Sequence, residues 1–186
     1  MNRILITYEK KDNTVDINLE YFSKLFLEMG SDYRIVKSSK VADKDLRWCD
    51  VCLSNRPSCI YSQKIAEFAE KNGIFYIASF DDDLLNLPKK NHNNWKRKYM
   101  ISCLKKSRAL ISTSPLILNE YSSYCSNAKL ILSNAFVEES ELKPMHDIDD
   151  IIRIVFPAGA DHLPLFNQFI KPIISDIFDQ FSGRVD

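Results

Sequence analysis

Residues 74–88 read IFYIASFDDDLLNLP. The opening run, Ile74 to Phe80, is rich in β-branched and aromatic residues and apolar at both alternating sets of positions, as a strand buried inside a parallel sheet reads. It runs straight into three consecutive carboxylates, Asp81, Asp82 and Asp83, followed by a short apolar turn that stops at Pro88. Adjacent anions repel, so each needs a partner: a cation, or the N–H groups of a following helical turn, where negative charge is favoured. In an open parallel sheet, ligands bind outside the carboxyl ends of the strands. The stretch therefore predicts an architecture and also the edge of it that carries a site.

Outward from there, short β-rich runs alternate with helical ones. RILITY (3–8), YRIVKS (33–38), DVCLSNR (50–56), ALIST (109–113) and KLILSN (129–134) read as further strands. Helices are predicted over Asn18–Gly30, Tyr61–Asn72, Asn94–Ser107 and Leu116–Ser122, with Leu19, Phe22, Phe26, Leu27 and Met29 forming the apolar side of the first. Gly30 and Gly73 fall where helices should stop. Strands separated by helices of this length indicate βαβ units: an α/β, Rossmann-like three-layer sandwich, with helices on both faces of a parallel sheet. The loop expected after the first strand, TYEKKDNTVDIN (7–18), contains no glycine, so the dinucleotide-binding fingerprint G-x-G-x-x-G is absent.

Composition narrows the class. The chain of 186 residues is 45% hydrophobic and 27% charged, with no formal net charge. Balanced charge argues against wholesale nucleic-acid binding, which needs a basic surface to displace counterions. The start, MNRILITYEK, has too short an apolar core for a signal peptide, and no stretch reaches the apolar length that spans a bilayer. Five cysteines, an odd number without regular spacing, suggest a reducing compartment and a cytoplasmic protein. Cys49-Asp50-Val51-Cys52 is a C-x-x-C, but it leads into a strand rather than a helix and no second metal-spaced pair follows. Buried structural cysteines are expected, against a redox or zinc site.

After Val137 the texture changes. EESELKPMHDIDD (138–150) is polar and acidic and reads as a linker, assigned to 144–150 between a first domain at 1–143 and a second beginning at 151. IIRIVFPAGADHLPLFNQFIKPIISDIFDQFSG (151–183) then supplies one strand, a turn and a helix over Leu165–Phe181 that is apolar almost all round. Such a helix needs cover on more than one side, so the segment is expected to be the opening βα unit of a second domain. By itself it is expected to promote self-association.

The order strand–SNRP–helix–DDDL…LP–basic helix–STS–LILSNA–linker–IVFPAGADH resembles the N-terminal half of bacterial GT-B glycosyltransferases, more narrowly the retaining, group-1 type that builds surface polysaccharides. Ser79, Phe80, Ser133 and Leu165 depart from the residues usual in that family. The resemblance implies that this half shapes the acceptor side of a cleft. The sugar nucleotide would be held mainly by a C-terminal domain, so that the fragment is inactive alone. It implies a glycan or lipid-linked acceptor, and no cofactor or metal beyond the nucleotide-sugar donor.

On this reading Arg56, Asp81, Asp82, Asp83, Thr113, Ser114 and Asn134 border the acceptor-side cleft. Arg56 ends the strand next to the acidic one, and its planar fork suits a carboxylate or a phosphate. An aspartate capping the LLNLP turn is the plainer alternative. Gly159, Ala160, Asp161 and His162 resemble a donor-diphosphate turn at a helix start, against an ordinary strand–helix turn. The basic run PKKNHNNWKRKY (88–99) reads as a solvated helix face, with a peripheral contact on an anionic membrane or an RNA grip as alternatives. From a different class, a flavodoxin- or receiver-like binding module would use the acidic cluster for Mg²⁺.

Overall fold

The computed structural model describes residues 2–86, 94–125, 127–130 and 166–180. It divides the chain into two units, Met1–Phe136 and Val137–Asp186.

In the first unit the strands β1 (Arg3–Tyr8), β2 (Asp32–Lys37), β3 (Val51–Asn55), β4 (Phe75–Ser79), β5 (Ala109–Ser112) and β6 (Ala128–Leu130) alternate with helices α1 (Asn13–Glu28), α2 (Asp43–Trp48), α3 (Ile60–Lys71), α4 (Asn94–Lys106) and α5 (Pro115–Tyr121). The strands form one six-stranded sheet in the order β2-β1-β3-β4-β5-β6, and every pairing is parallel. The α/β, Rossmann-like expectation is therefore met. Because β2 and β3 lie on opposite sides of β1, the topological switch point falls between β1 and β3, where such sheets open a crevice.

Alternation along each strand sends side chains to two helical layers. Leu5, Cys52, Tyr76, Ala78 and Leu110 face α2 to α5, where Leu46, Ile65, Ala66, Met100, Leu104, Ile117 and Tyr121 meet them. Ile4, Ile6, Leu53 and Ile111 face the opposite way, onto Val15, Leu19, Phe22 and Phe26 of α1. Those four helical positions are spaced 4, 3 and 4 residues apart and so form one stripe. Leu27 and Met29, predicted to join it, are 62% exposed: Leu27 points about 100° away from Phe26, while Met29 keeps the stripe's spacing but is the cap residue just past the end of α1.

α1 also starts five residues before the predicted Asn18. Asp12 caps it, its Oδ1 accepting the Val15 N–H at 2.9 Å. The true β1–α1 loop is thus only a few residues long, and Asn18 is carried into the helix. Gly30 (φ 65°) and Gly73 (φ 72°) end α1 and α3 in the left-handed region that a Cβ disfavours. Cys49 and Cys52 are buried free thiols. Burial pushes both up, Cys49 to about 11, so neither is the reactive thiolate of a redox motif.

In the second unit, a single π-type turn (Phe166–Ile170) leads into α6 (Lys171–Gln180), on which Phe169 and Ile173 just before and within the helix are exposed. The expected linker at 144–150 and the strand and turn after 151 lie outside the described residues. No helix among the described residues is long and apolar enough to cross a membrane.

Candidate functional site

The parallel register brings Tyr8, Asn55, Ser79 and Ile111 into one row across β1, β3, β4 and β5. The residues that follow these positions therefore emerge together at the carboxyl edge. Arg56 follows Asn55 and turns at once into the left-handed region, φ 51°, the only non-glycine among the described residues to do so. Its N–H donates to the Ser79 carbonyl at 2.9 Å, which ties the turn to β4. Its side chain is then delivered to the acidic run.

Arg56 Nε donates to Asp81 Oδ1 at 2.5 Å and Nη2 donates to Asp81 Oδ2 at 2.8 Å, the two-pronged geometry that only a guanidinium supplies. Nη2 also reaches Asp82 Oδ2 at 2.6 Å, and Nη1 lies 3.6 Å from Asp12 Oδ2. Asn18 Nδ2, from the first half of α1, donates to Asp81 Oδ2 at 2.9 Å. Burial alone would raise the Asp81 carboxyl. The hydrogen bonds and charge of Arg56, with the Asn18 amide, outweigh it and hold the group below its ordinary value. Asp82 stays exposed.

Asp83 goes elsewhere. It accepts from the Tyr121 hydroxyl at 3.0 Å and from Asn86 Nδ2 at 2.9 Å, while the same hydroxyl accepts the Leu85 N–H at 3.0 Å. The repulsion among the three carboxylates is relieved by two sets of partners: Asp81 and Asp82 share Arg56, and Asp83, through Tyr121, ties the Leu84–Asn86 turn to α5. Among the described residues no group of three His, Cys, Asp or Glu side chains converges as metal ligands.

Beside this cluster lies a small cleft of ≈ 10 Å³, room for about one water, lined by Asn18, Tyr21, Phe22, Ser79, Phe80, Asp81, Ile111, Ser112 and Thr113. Thr113 stands exposed on its rim. Ser114 does not face the cleft's chemistry: its hydroxyl oxygen accepts the Ile117 N–H at 3.5 Å and caps α5. Asn134 and the turn Gly159, Ala160, Asp161, His162 lie outside the described residues, as do residues 88–93 of the basic run. Of that run's described part, Arg97 donates to the Leu85 carbonyl.

Three contributors were not among the predicted site residues: Asp12, Asn18 and Glu9. The signal for the first two was an N-cap pattern, Asp-Asn-Thr-Val, which starts the helix early and turns Asn18 inward. Glu9 has no such signature. Its carboxylate accepts from the Ser58 N–H, from Ser58 Oγ at 2.8 Å and from Ser62 Oγ at 2.8 Å, bridging β1 to the start of α3.

No family model matches this chain, and no curated protein does. Among solved structures, an alpha-glucosyltransferase in complex with UDP and a 13-mer DNA containing a central A:G mismatch aligns over 93% of this chain and 54% of its own length, with a TM-score of 0.51 and 13% identity. A putative ThuA-like protein from Bacteroides uniformis aligns over 54% of this chain and 44% of its own, with a TM-score of 0.38 and 18% identity. The chain spans about half the length of each solved structure. At these identities the likeness is one of fold: a parallel, Rossmann-like α/β layer of the kind the glucosyltransferase also contains.

Proposed function

We propose that this chain forms the acceptor-side half of a GT-B glycosyltransferase of the retaining type. The intact protein would move a sugar from a nucleotide diphosphate to a hydroxyl of a glycan or lipid-linked acceptor. The observation that carries the reading is the Arg56–Asp81–Asp82–Asn18 cluster at the carboxyl edge of β3 and β4, opening on a cleft with hydroxyls at Ser79 and Thr113. Carboxylates, amides and hydroxyls held rigid at a sheet edge are suited to binding the several hydroxyls of a sugar. The fold match to a glucosyltransferase over most of the chain supports the same reading.

The donor is assigned to the second domain that residues 151–186 are expected to open, with Gly159 to His162 at its diphosphate. Chemistry there would rest on electrostatic stabilisation of the departing diphosphate. No cofactor is assigned beyond the donor. A cytoplasmic site, with peripheral membrane contact through residues 89–99 and self-association through the 165–181 helix, belongs to the same proposal.

One observation favours a second reading: the strand order 2-1-3-4-5, continued here by β6, is also that of flavodoxin- and receiver-like modules. The two are separated by one pair of measurements on the full-length gene product. Release of nucleoside diphosphate from a panel of nucleotide sugars, lost on His162→Ala, supports the transferase. Saturable Mn²⁺ binding by electron paramagnetic resonance, lost on Asp81→Asn with no turnover of any sugar nucleotide, supports the module instead.

A further inference from the structure

We propose that the groove between α2 and α3 is a binding site for a free α-amino acid with an apolar or aromatic side chain, its carboxylate held by Lys64 and its ammonium by Asp43. The site goes beyond the acceptor-side reading. It lies in the helical layer opposite α1 and shares no residue with the Arg56–Asp81 cluster or its cleft.

The opening follows from the lengths of two helices. α3 has 12 residues and α2 only 6, so α3 runs about 18 Å and α2 about 9 Å. The shorter helix leaves one flank of α3 uncovered: Tyr61, Ile65 and Phe68, spaced 4 and 3 residues apart on one stripe. Between that flank, α2 and Val41 lies a cavity of ≈ 200 Å³, larger than the roughly 150 Å³ that admits a benzene ring in an apolar interior. Leu46 and Ile65 are buried at its floor, with Val41 and Phe68 half-buried beside them. Tyr61 stands 48% exposed at its mouth, and Ser38 turns its hydroxyl away to donate to the Tyr8 carbonyl at 3.0 Å. An apolar side chain gains by entering such a space, whereas the hydroxyls of a sugar would lose their water there without replacement.

The mouth decides the rest of the ligand. Asp43 and Lys64 line it, both exposed and of opposite charge, yet they do not pair, and neither has a side-chain partner among the described residues. The adjoining carboxylates are already engaged: Asp45 takes Arg34 at 3.3 Å and the Ala42 N–H at 3.1 Å, and Glu67 takes the Gln63 amide at 2.7 Å. A simple carboxylic acid in the cavity would pair with Lys64 but face Asp43, and an amine would pair with Asp43 but face Lys64. A zwitterion with both charges on the carbon next to its apolar group satisfies the two at once. A free α-amino acid has that structure, while a peptide end carries only one of the charges.

The test uses the full-length protein with L-leucine, L-methionine and L-phenylalanine. Each is set beside its N-acetyl derivative, which lacks the ammonium, and its amide, which lacks the carboxylate. Affinities come from saturation-transfer NMR near neutral pH. At least one amino acid should bind saturably and at least about threefold more tightly than either derivative, the scale of one exposed ion pair. In Asp43→Asn the preference over the N-acetyl derivative should vanish while that over the amide persists; in Lys64→Gln the reverse should hold. Both residues are exposed, so both variants should fold, which circular dichroism checks. Three results overturn the proposal: no saturable binding by any of the amino acids up to about 10 mM, binding no tighter than that of either derivative, or a preference that survives loss of its assigned partner. None of them bears on the acceptor reading.

Discussion

At Arg56 the backbone takes a left-handed turn, φ 51°, in a residue that carries a Cβ, a conformation that costs roughly 1–2 kcal/mol for an L-residue. What offsets that cost is the largely buried guanidinium on Asp81, with Asp82 beside it. Two substitutions separate the terms. Arg56→Ala keeps the strained turn and leaves Asp81 unpaired, and should destabilise by about 3 kcal/mol. Arg56→Gly loses the same ion pairs but relaxes the backbone, and should be less damaging by about 1 kcal/mol. Urea unfolding midpoints of the two variants measure the difference, and equal midpoints would show that the turn is not strained. Asp81 makes its own prediction. Its carboxyl lies below the ordinary 3.8 in the folded chain, so the unfolded chain takes up its proton first. Its contribution to stability is complete above 3.8 and is lost as pH falls through the lower folded value. Thermal melts of the parent protein should decline over that acid range, and Asp81→Asn should flatten the decline.

At the scale of elements, the turn after β4 is held by a phenol rather than by a helix. The Tyr121 hydroxyl donates to Asp83 and accepts the Leu85 N–H, while its ring packs edge-on against Phe80 at 5.2 Å between centroids. Tyr121→Phe keeps the ring, leaves the Leu85 N–H without its acceptor and removes one of the two donors to Asp83, Asn86 remaining. It should cost about 1–3 kcal/mol, read as a lower urea midpoint with the slope unchanged. The same element shows where sequence reading succeeds and where it stops. IFYIAS was legible as a buried parallel strand because both its faces are apolar. α3 and α5 came within a residue or so because their stripes and stops are local. The partner of Asp83 was not legible, since Tyr121 lies 38 residues away and nothing local marks it. α2 was missed for a different reason: at six residues it is too short for a periodic stripe. α1 was entered late because its first turn, NTVD, has a single apolar residue, and only the Asp12 cap announces it.

Over the whole molecule, parallel pairing of six strands aligns the ends of β1, β3 and β4, and this alone gathers Glu9, Asp12, Arg56 and Asp81, residues up to 72 positions apart, at one edge. Arg56 and the acidic run were legible as a pair because both follow strands in an alternating pattern, which places them at neighbouring carboxyl ends. Which aspartate would face Arg56 was not, because three identical residues in a row differ only in the direction the backbone points them. The central claim is that this edge holds the acceptor. Its most direct measurement is the steady-state kinetics of the full-length protein with its nucleotide-sugar donor, titrating acceptor for the parent and for Asp81→Asn, with circular dichroism to confirm that both are folded. The account predicts an acceptor KM raised about tenfold or more in the variant, as expected for loss of a charged group that positions substrate. An acceptor KM indistinguishable from the parent's would contradict it.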